Sequence, residues 1–161
     1  MSTQESPAGA GLVTDVADLA SHVGAELGHT EWREMTQERV NQFADVTDDH
    51  NFIHVDPERA KDTVFGGTIA HGFLTMSMLA PMAYQACPVV KGSRTNVNYG
   101  FNRLRFVAPV PVGSRVRAHF VLHQIERIDD VQRQIIYTVT VEIEGAAKPA
   151  LVAEWLTRIT L

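Results

Sequence analysis

Cysteine is almost absent from this sequence, since Cys87 is the single residue of that type among 161. One cysteine excludes an internal disulfide, and this usage favours a reducing compartment, so we expect a cytoplasmic protein. Cys87 lies in the apolar stretch Tyr-Gln-Ala-Cys-Pro. That context predicts an inert thiol in the core rather than a nucleophile.

Basic and aromatic residues are also few. The chain has 14 Lys and Arg residues against 19 Asp and Glu residues, a formal net charge of −5, and 7% aromatic residues. A nucleic-acid-binding protein would need a basic stripe, which the sequence lacks. We therefore expect no nucleic-acid partner.

No apolar run is continuous enough to be a good membrane span. Residues 64–90 contain no Asp, Glu, Lys or Arg, but glycines, prolines and the polar His71 and Gln85 divide them. No basic cluster flanks the segment to set its orientation in a membrane. The segment is therefore predicted to be a helix buried inside a soluble domain.

The first residues lack the basic region and apolar core of a secretory signal. Residues 1–12 are small, polar and rich in glycine, and they are predicted to form a flexible tail. The remaining residues, 13–161, suffice for one domain with one hydrophobic core.

Apolar periodicity predicts helices in the first half of the chain. Residues 13–23 are expected to form a helix, residues 30–35 a strand, and the residues after the cap Thr36 a second helix that ends near Ala44. The least polar run, residues 68–84, predicts a helix that protein surrounds on nearly all sides.

Four strand-like segments fill the second half: residues 94–107, 114–128, 132–144 and 149–161. Turn residues separate the last three, so we expect an antiparallel meander. About five antiparallel strands wrapped around one long apolar helix make an α+β architecture, the hot-dog fold.

The stretch from Asp48 to Pro57 concentrates three acids and two histidines in ten residues. On an irregular loop, the Asp49 carboxylate and the His54 imidazole can converge on one water molecule. Asn51 can tie that loop to itself through its side-chain amide. These residues predict an acid–base site.

Three segments in order resemble motifs of the MaoC-like dehydratase family. They are Asp49-His-Asn-Phe-Ile-His54-Val-Asp-Pro, Ile69-Ala-His-Gly-Phe-Leu-Thr75 and Phe106-Val-Ala-Pro-Val-Pro-Val-Gly113. The likeness extends over about residues 15–161 and is greatest to single-hot-dog actinobacterial 3-hydroxyacyl-thioester dehydratases. It implies a hydro-lyase that hydrates 2-enoyl thioesters (R)-specifically or dehydrates the 3-hydroxyacyl products. It also implies a homodimer without metal or organic cofactor. Phe52 stands where many hydratases have proline.

The resemblance also assigns roles to residues. Asp49 and His54 correspond to the family's catalytic pair, and Gly72 to the glycine whose backbone N–H binds the substrate carbonyl. The thioester carrier, coenzyme A or acyl carrier protein, stays open, as do acyl chain length and pathway. Further candidates for substrate contact are His71, for which a structural role is favoured, and Met76. The basic residues Lys91, Arg94, Arg103 and Arg105 could meet the phosphates of the thioester carrier or form a solvated strand face.

The same residues also admit other roles and functions than those of a hydratase. His50 is expected on the surface, with Asp48 and Asp56 as turn and helix caps. His50 and His54 have the spacing of a helical zinc pair, but no third ligand is evident. A hot-dog thioesterase would usually carry an acid near the central helix, which residues 64–92 lack. A non-catalytic acyl-CoA-binding module or an inactive dehydratase subunit is the remaining alternative, against which the presence of both Asp49 and His54 argues.

Overall fold

A computed structural model describes residues 11–161 of the chain. Most of the predicted N-terminal tail therefore lies outside the described residues. The domain is already engaged at Leu12, whose carbonyl oxygen accepts a hydrogen bond from the Val89 N–H at 2.8 Å.

The architecture is an antiparallel sheet packed against short helices. The strands are β1 (Val13–Thr14), β2 (Glu26–His29), β3 (Arg33–Glu34), β4 (Val89–Val90), β5 (Thr95–Phe106), β6 (Arg115–Arg127), β7 (Gln132–Ile143) and β8 (Leu151–Thr160). The helices are α1 (Val16–Ala20), α2 (Gln37–Thr47), α3 (Phe52–Val55), α4 (Pro57–Ala60), α5 (Gly72–Ser77) and α6 (Leu79–Ala86).

The main sheet has the order β2-β6-β7-β8-β5, and β3 also pairs with β6. The meander of β6, β7 and β8 is confirmed, while β5 lies beside β8 at one edge of the sheet. A separate parallel pair joins β1 to β4.

Every second residue of β7 faces the core. These buried residues are Ile135, Tyr137, Val139, Val141 and Ile143, and the adjacent Gln134 and Ile136 are buried as well. The alternating residues pack with Leu79 and Met82 of α6 in one continuous apolar cluster. Each fully buried side chain of this kind contributes about 1.5–3 kcal/mol relative to its exposed state. This cluster fixes the helices against the sheet and gives the predicted α+β hot-dog arrangement.

The apolar helix predicted for residues 68–84 is two helices, α5 and α6, divided at Met78. Pro81 accounts for the division, because proline has no N–H to donate to the Ser77 carbonyl and its ring crowds that group. Nor is the pair covered on all sides. Phe73 and Tyr84 are 61% and 71% exposed on their outer face.

The first elements differ most from their prediction. Residues 13–23, which were predicted to form one helix, hold β1 and the short α1, whose N-cap position is Asp15. The pairing of Val13 and Thr14 with Val89 and Val90 overrides their helical periodicity. The strand expected at residues 30–35 is only β3, and the longer β2 before it was not predicted because Gly28 interrupts its pattern.

Thr36 caps α2 as predicted, since its side-chain oxygen accepts a hydrogen bond from the Arg39 N–H at 3.2 Å. The helix continues past Ala44 to Thr47 and delivers the chain to Asp48. No helix within residues 11–161 has both the length and the apolar character needed to cross a membrane. A cytoplasmic location stays a prediction.

Candidate active site

The turn after α2 places Asp49 and His54. Asp48 ends α2 in the left-handed conformation, with φ of 59°, which Asp tolerates better than most residues. The Asn51 side-chain oxygen accepts a hydrogen bond from the Ile53 N–H at 3.3 Å, and the Asn51 N–H donates to the Asp49 carboxylate at 3.4 Å. Asn51 thus ties this turn together. His54 lies on the single-turn helix α3 rather than on an irregular loop.

Backbone contacts define the state of the His54 ring. Its Nδ1 lies 2.7 Å from the Ile69 carbonyl oxygen, which can only accept a hydrogen bond. Nδ1 is therefore protonated, and Nε2 is the nitrogen that can take up a proton. His54 is 8% exposed, and this burial lowers the pKa of its imidazole below 6.5 despite the bond to Ile69. At neutral pH the ring is an uncharged base.

His71 links Asp49 to the start of α5. Its Nε2 donates to the Asp49 carbonyl oxygen at 2.9 Å, and its ring stacks on the His54 ring with centroids 3.8 Å apart. The side chain is 2% exposed, and its Nδ1 is buried with no hydrogen-bond partner among the described residues. His71 therefore holds the start of α5 against the stretch that carries Asp49 and His54.

Asp49, His54 and His71 form one cluster. A carboxylate oxygen of Asp49 and one ring nitrogen of each histidine lie within 4.8 Å of one another. That spacing lets one water molecule contact the carboxylate and an imidazole together. The same three side chains would also admit a metal ion, in place of the His50–His54 pair considered from the sequence. His50 is exposed and bonds instead to Asp45 at 2.9 Å, as its surface assignment predicted.

Gly72 is the first residue of α5, directly after His71. The first hydrogen bond of this turn is donated by the Leu74 N–H to the His71 carbonyl, so the Gly72 N–H precedes the helical ladder. A Cβ at Gly72 would lie 3.0 Å from ring atoms of Phe106. Glycine is therefore the residue that lets Phe106 pack against the start of this helix.

His54 and Gly72 line the same cavity, which has a volume of about 260 Å³. Most of the other lining side chains are apolar, among them Ile69, Phe106 and Val110. The cavity therefore places an uncharged imidazole and the first residue of α5 beside an apolar space of the kind that binds small molecules.

Sequence reasoning missed two residues that belong to this site. Thr75 lines the cavity one turn after Gly72, and its buried hydroxyl oxygen has no hydrogen-bond partner within the described chain. Gln37 of α2 donates to the His54 carbonyl oxygen at 2.7 Å and accepts from the Thr68 hydroxyl at 2.6 Å. The spacing from Gly72 could have indicated Thr75, whereas nothing local indicates Gln37.

The remaining candidates are placed differently from what the sequence suggested. Met76 packs against the core and does not line this cavity. The four basic residues do not form one patch. Lys91 and Arg94 precede β5, while Arg103 and Arg105 lie near its end. At the usual rise per residue of a strand, Arg94 and Arg105 are about 35 Å apart. Arg103 and Arg105 do share one strand face, opposite Glu154 and Val152.

Two further assignments agree with the sequence analysis. Asp56 caps α4, with its carboxylate accepting from the Arg59 N–H at 3.1 Å. Cys87 is 6% exposed, and burial raises the pKa of its thiol to about 12. The thiol is therefore protonated and inert at neutral pH, as predicted.

The fold and this site define an acid–base hot-dog domain, and comparisons with known proteins give its family. The MaoC like domain model matches residues 18–146. The chain therefore belongs to the MaoC-like domain family, and it is a hydro-lyase, as the motifs implied.

Two curated relatives are similar over most of their length. The chain is 52% identical to 3-hydroxyacyl-thioester dehydratase Z of Mycobacterium tuberculosis, over 89% of this chain and 94% of that protein. It is 48% identical to Nodulation protein N of Rhizobium leguminosarum bv. viciae, over 89% and 90%. Among solved structures, the (R)-hydratase of A. caviae involved in PHA biosynthesis superposes with a TM-score of 0.67 at 27% identity, over 84% of this chain and 94% of that one.

Proposed function

We propose that the protein reversibly adds water to a trans-2-enoyl thioester to give an (R)-3-hydroxyacyl thioester. The observation that carries the proposal is the neutral His54, with Nε2 free to take a proton, beside the Asp49 carboxylate and an apolar cavity. The dehydratase and (R)-hydratase activities named for the relatives support the same reaction class.

In hydration, His54 Nε2 takes a proton from the water that Asp49 orients. The water oxygen then bonds to C3 of the enoyl group, and the C2–C3 π electrons move towards the thioester oxygen. The proton that His54 took from the water passes to the Asp49 carboxylate and from there to C2, which completes the addition and returns both side chains to their starting states; dehydration follows the same steps in reverse. No metal or organic cofactor is needed for these proton transfers.

Charge that develops on the thioester oxygen needs a hydrogen-bond donor. The Gly72 N–H fits this role, because it lies at the first residue of α5 and Gly72 lines the same cavity as His54. The Thr75 hydroxyl is a second polar group on that wall, available to the substrate or to the catalytic water. Arg103 and Arg105 lie on the opposite face of β5 from Leu104, which packs against the core, so the proposal does not depend on them.

Hydration and thioester hydrolysis consume the same substrate but give different signals. With crotonyl-CoA and a longer 2-enoyl-CoA, we expect the absorbance of the conjugated thioester to fall while no free thiol appears. Thiol release at the rate of the absorbance change would show a thioesterase instead. No change in either signal, with both substrates, would favour a binding module.

The pKa of His54 predicts a pH dependence. The rate needs the uncharged ring, and burial lowers its pKa below 6.5, so kcat/KM for hydration should rise with pH and reach half its plateau below pH 6.5. We would measure kcat/KM from pH 5 to 8 at constant ionic strength. A midpoint at or above 6.5 would mean that His54 is not the buried neutral base described here.

We also propose that the protein is a homodimer joined along β5. Within residues 11–161 this strand pairs only with β8, and Val97 and Tyr99 on it are 54% and 55% exposed. The exposed Phe73 and Tyr84 of α5 and α6 add apolar surface of the kind that subunit association buries.

A charge placed on that edge should weaken the dimer. We expect Val97→Glu to shift the protein to a monomer by light scattering at a concentration where the wild type is a dimer. Val64→Glu is the matched control, since Val64 is 97% exposed on the loop after α4, and it should stay dimeric. If Val97→Glu leaves the mass unchanged, β5 is not the interface.

A further inference from the structure

A second group of histidines lies on β2 and β6, on the sheet face away from the core. His29 is directly opposite His119 in the antiparallel register, and their ring centroids are 5.3 Å apart. Directly opposed residues project their side chains from the same face of a sheet, within reach of each other. The side chains are 33% and 28% exposed, so an ion in solution can reach both rings.

A β-bulge brings a carboxylate to the same place. Glu26 is three residues before His29, a spacing that puts two side chains on opposite faces of a regular strand. Here Glu26 pairs with Val121 while Gly28 pairs with Phe120, so β2 carries one extra residue and Glu26 returns to the face of His29. The Glu26 carboxylate oxygen lies 2.8 Å from His119 Nδ1 and 3.7 Å from His29 Nδ1.

The other nitrogen of His119 is already oriented. His119 Nε2 lies 2.8 Å from the Glu142 carboxylate on β7, and Arg117 holds that carboxylate with an ion pair. A histidine that binds a metal typically donates its second N–H to a carboxylate, which fixes the ring and raises its basicity as a ligand. Glu142 supplies this outer contact without competing for Nδ1.

We propose that Glu26, His29 and His119 bind a divalent transition-metal ion of the Zn²⁺ class. One nitrogen of each histidine and one carboxylate oxygen lie within 4.8 Å of one another, which a small side-chain adjustment closes around an ion. Two imidazoles and one carboxylate favour zinc over Mg²⁺ or Ca²⁺, and water completes the tetrahedron. The ion takes the place of the hydrogen bond between His119 Nδ1 and Glu26, and it joins β2 to β6 on the sheet face away from the core.

Zinc titration of the tag-free, metal-stripped protein tests the site. By calorimetry we expect the wild type to bind Zn²⁺ at a site that His29→Ala and His119→Ala each weaken by at least tenfold. His123→Ala is the matched control, because His123 is exposed on the same strand outside the cluster, and it should bind like the wild type. The thermal midpoint should rise with Zn²⁺ in the wild type and the control but not in the two variants.

Two controls keep each result decisive. Glu26→Gln replaces one ligand without shortening the side chain and should also weaken Zn²⁺ binding. This variant still tests the site if one of the alanine variants folds poorly. Since the cluster is remote from Asp49 and His54, hydratase activity of His29→Ala should equal that of the wild type. The proposal is overturned if wild type binds no Zn²⁺, or if His71→Ala abolishes binding while His29→Ala and His119→Ala retain it.

Discussion

Replacing Asp49 or His54, the pair that we propose to be catalytic, should remove most of the hydratase activity. We expect His54→Ala and Asp49→Asn each to lower kcat/KM with a 2-enoyl-CoA by about 100-fold or more, the usual contribution of a positioned acid or base. The two losses should not add fully in the double variant, because both groups act on one water molecule.

Neighbouring residues provide matched controls for both changes. Asp48→Asn makes the same charge change one residue away, and Asn tolerates the left-handed conformation found there. His50→Ala removes an imidazole whose pKa the exposed contact with Asp45 raises rather than lowers. Both should keep the activity within about twofold. Equal losses in the controls and the pair would mean that the turn matters only for folding.

Gly72→Ala should give the second large loss. The added Cβ would lie 3.0 Å from the Phe106 ring, so the Cβ and the displaced ring would crowd the cavity wall where we propose that the thioester carbonyl meets the Gly72 N–H. Alanine keeps the backbone N–H, but a carbonyl that is held away from it loses one oxyanion donor, which typically lowers kcat by about 100- to 1000-fold. We therefore expect a large fall in kcat in steady-state hydration assays, with little change in the thermal midpoint.

Gly67→Ala is the control for this substitution. A Cβ at Gly67 meets no atom within 4 Å, and its backbone is not in the left-handed region. It should leave kcat unchanged. A Gly72→Ala enzyme with normal kcat and raised KM would assign Gly72 to uniform substrate binding rather than to the transition state.

Much of the fold follows from local patterns that the sequence shows directly. The alternating residues of β7 all face the core, and Thr36 and Asp56 cap the helices that follow them. Pro81 could have indicated the division between α5 and α6. β2 was not visible, because its bulge and Gly28 break the period of two that identifies a strand.

The proximity of Asp49 and His54 was predictable because both residues lie in one short motif. Their surroundings were not, since these depend on contacts between distant segments. His71 meets Asp49 across 22 residues, and Gln37 meets His54 across 17. Closeness in sequence was misleading for the four basic residues. Lys91 and Arg105 were predicted to belong to one basic group, but the extended strand β5 separates them.

The most direct test of the account is the product formed from crotonyl-CoA in oxygen-18-labelled water, identified by mass spectrometry. We predict an intact coenzyme A thioester that has gained one labelled water, with no free coenzyme A. A free acid that carries the label in its carboxylate, formed together with coenzyme A, would contradict the assignment of Asp49 and His54 to hydration.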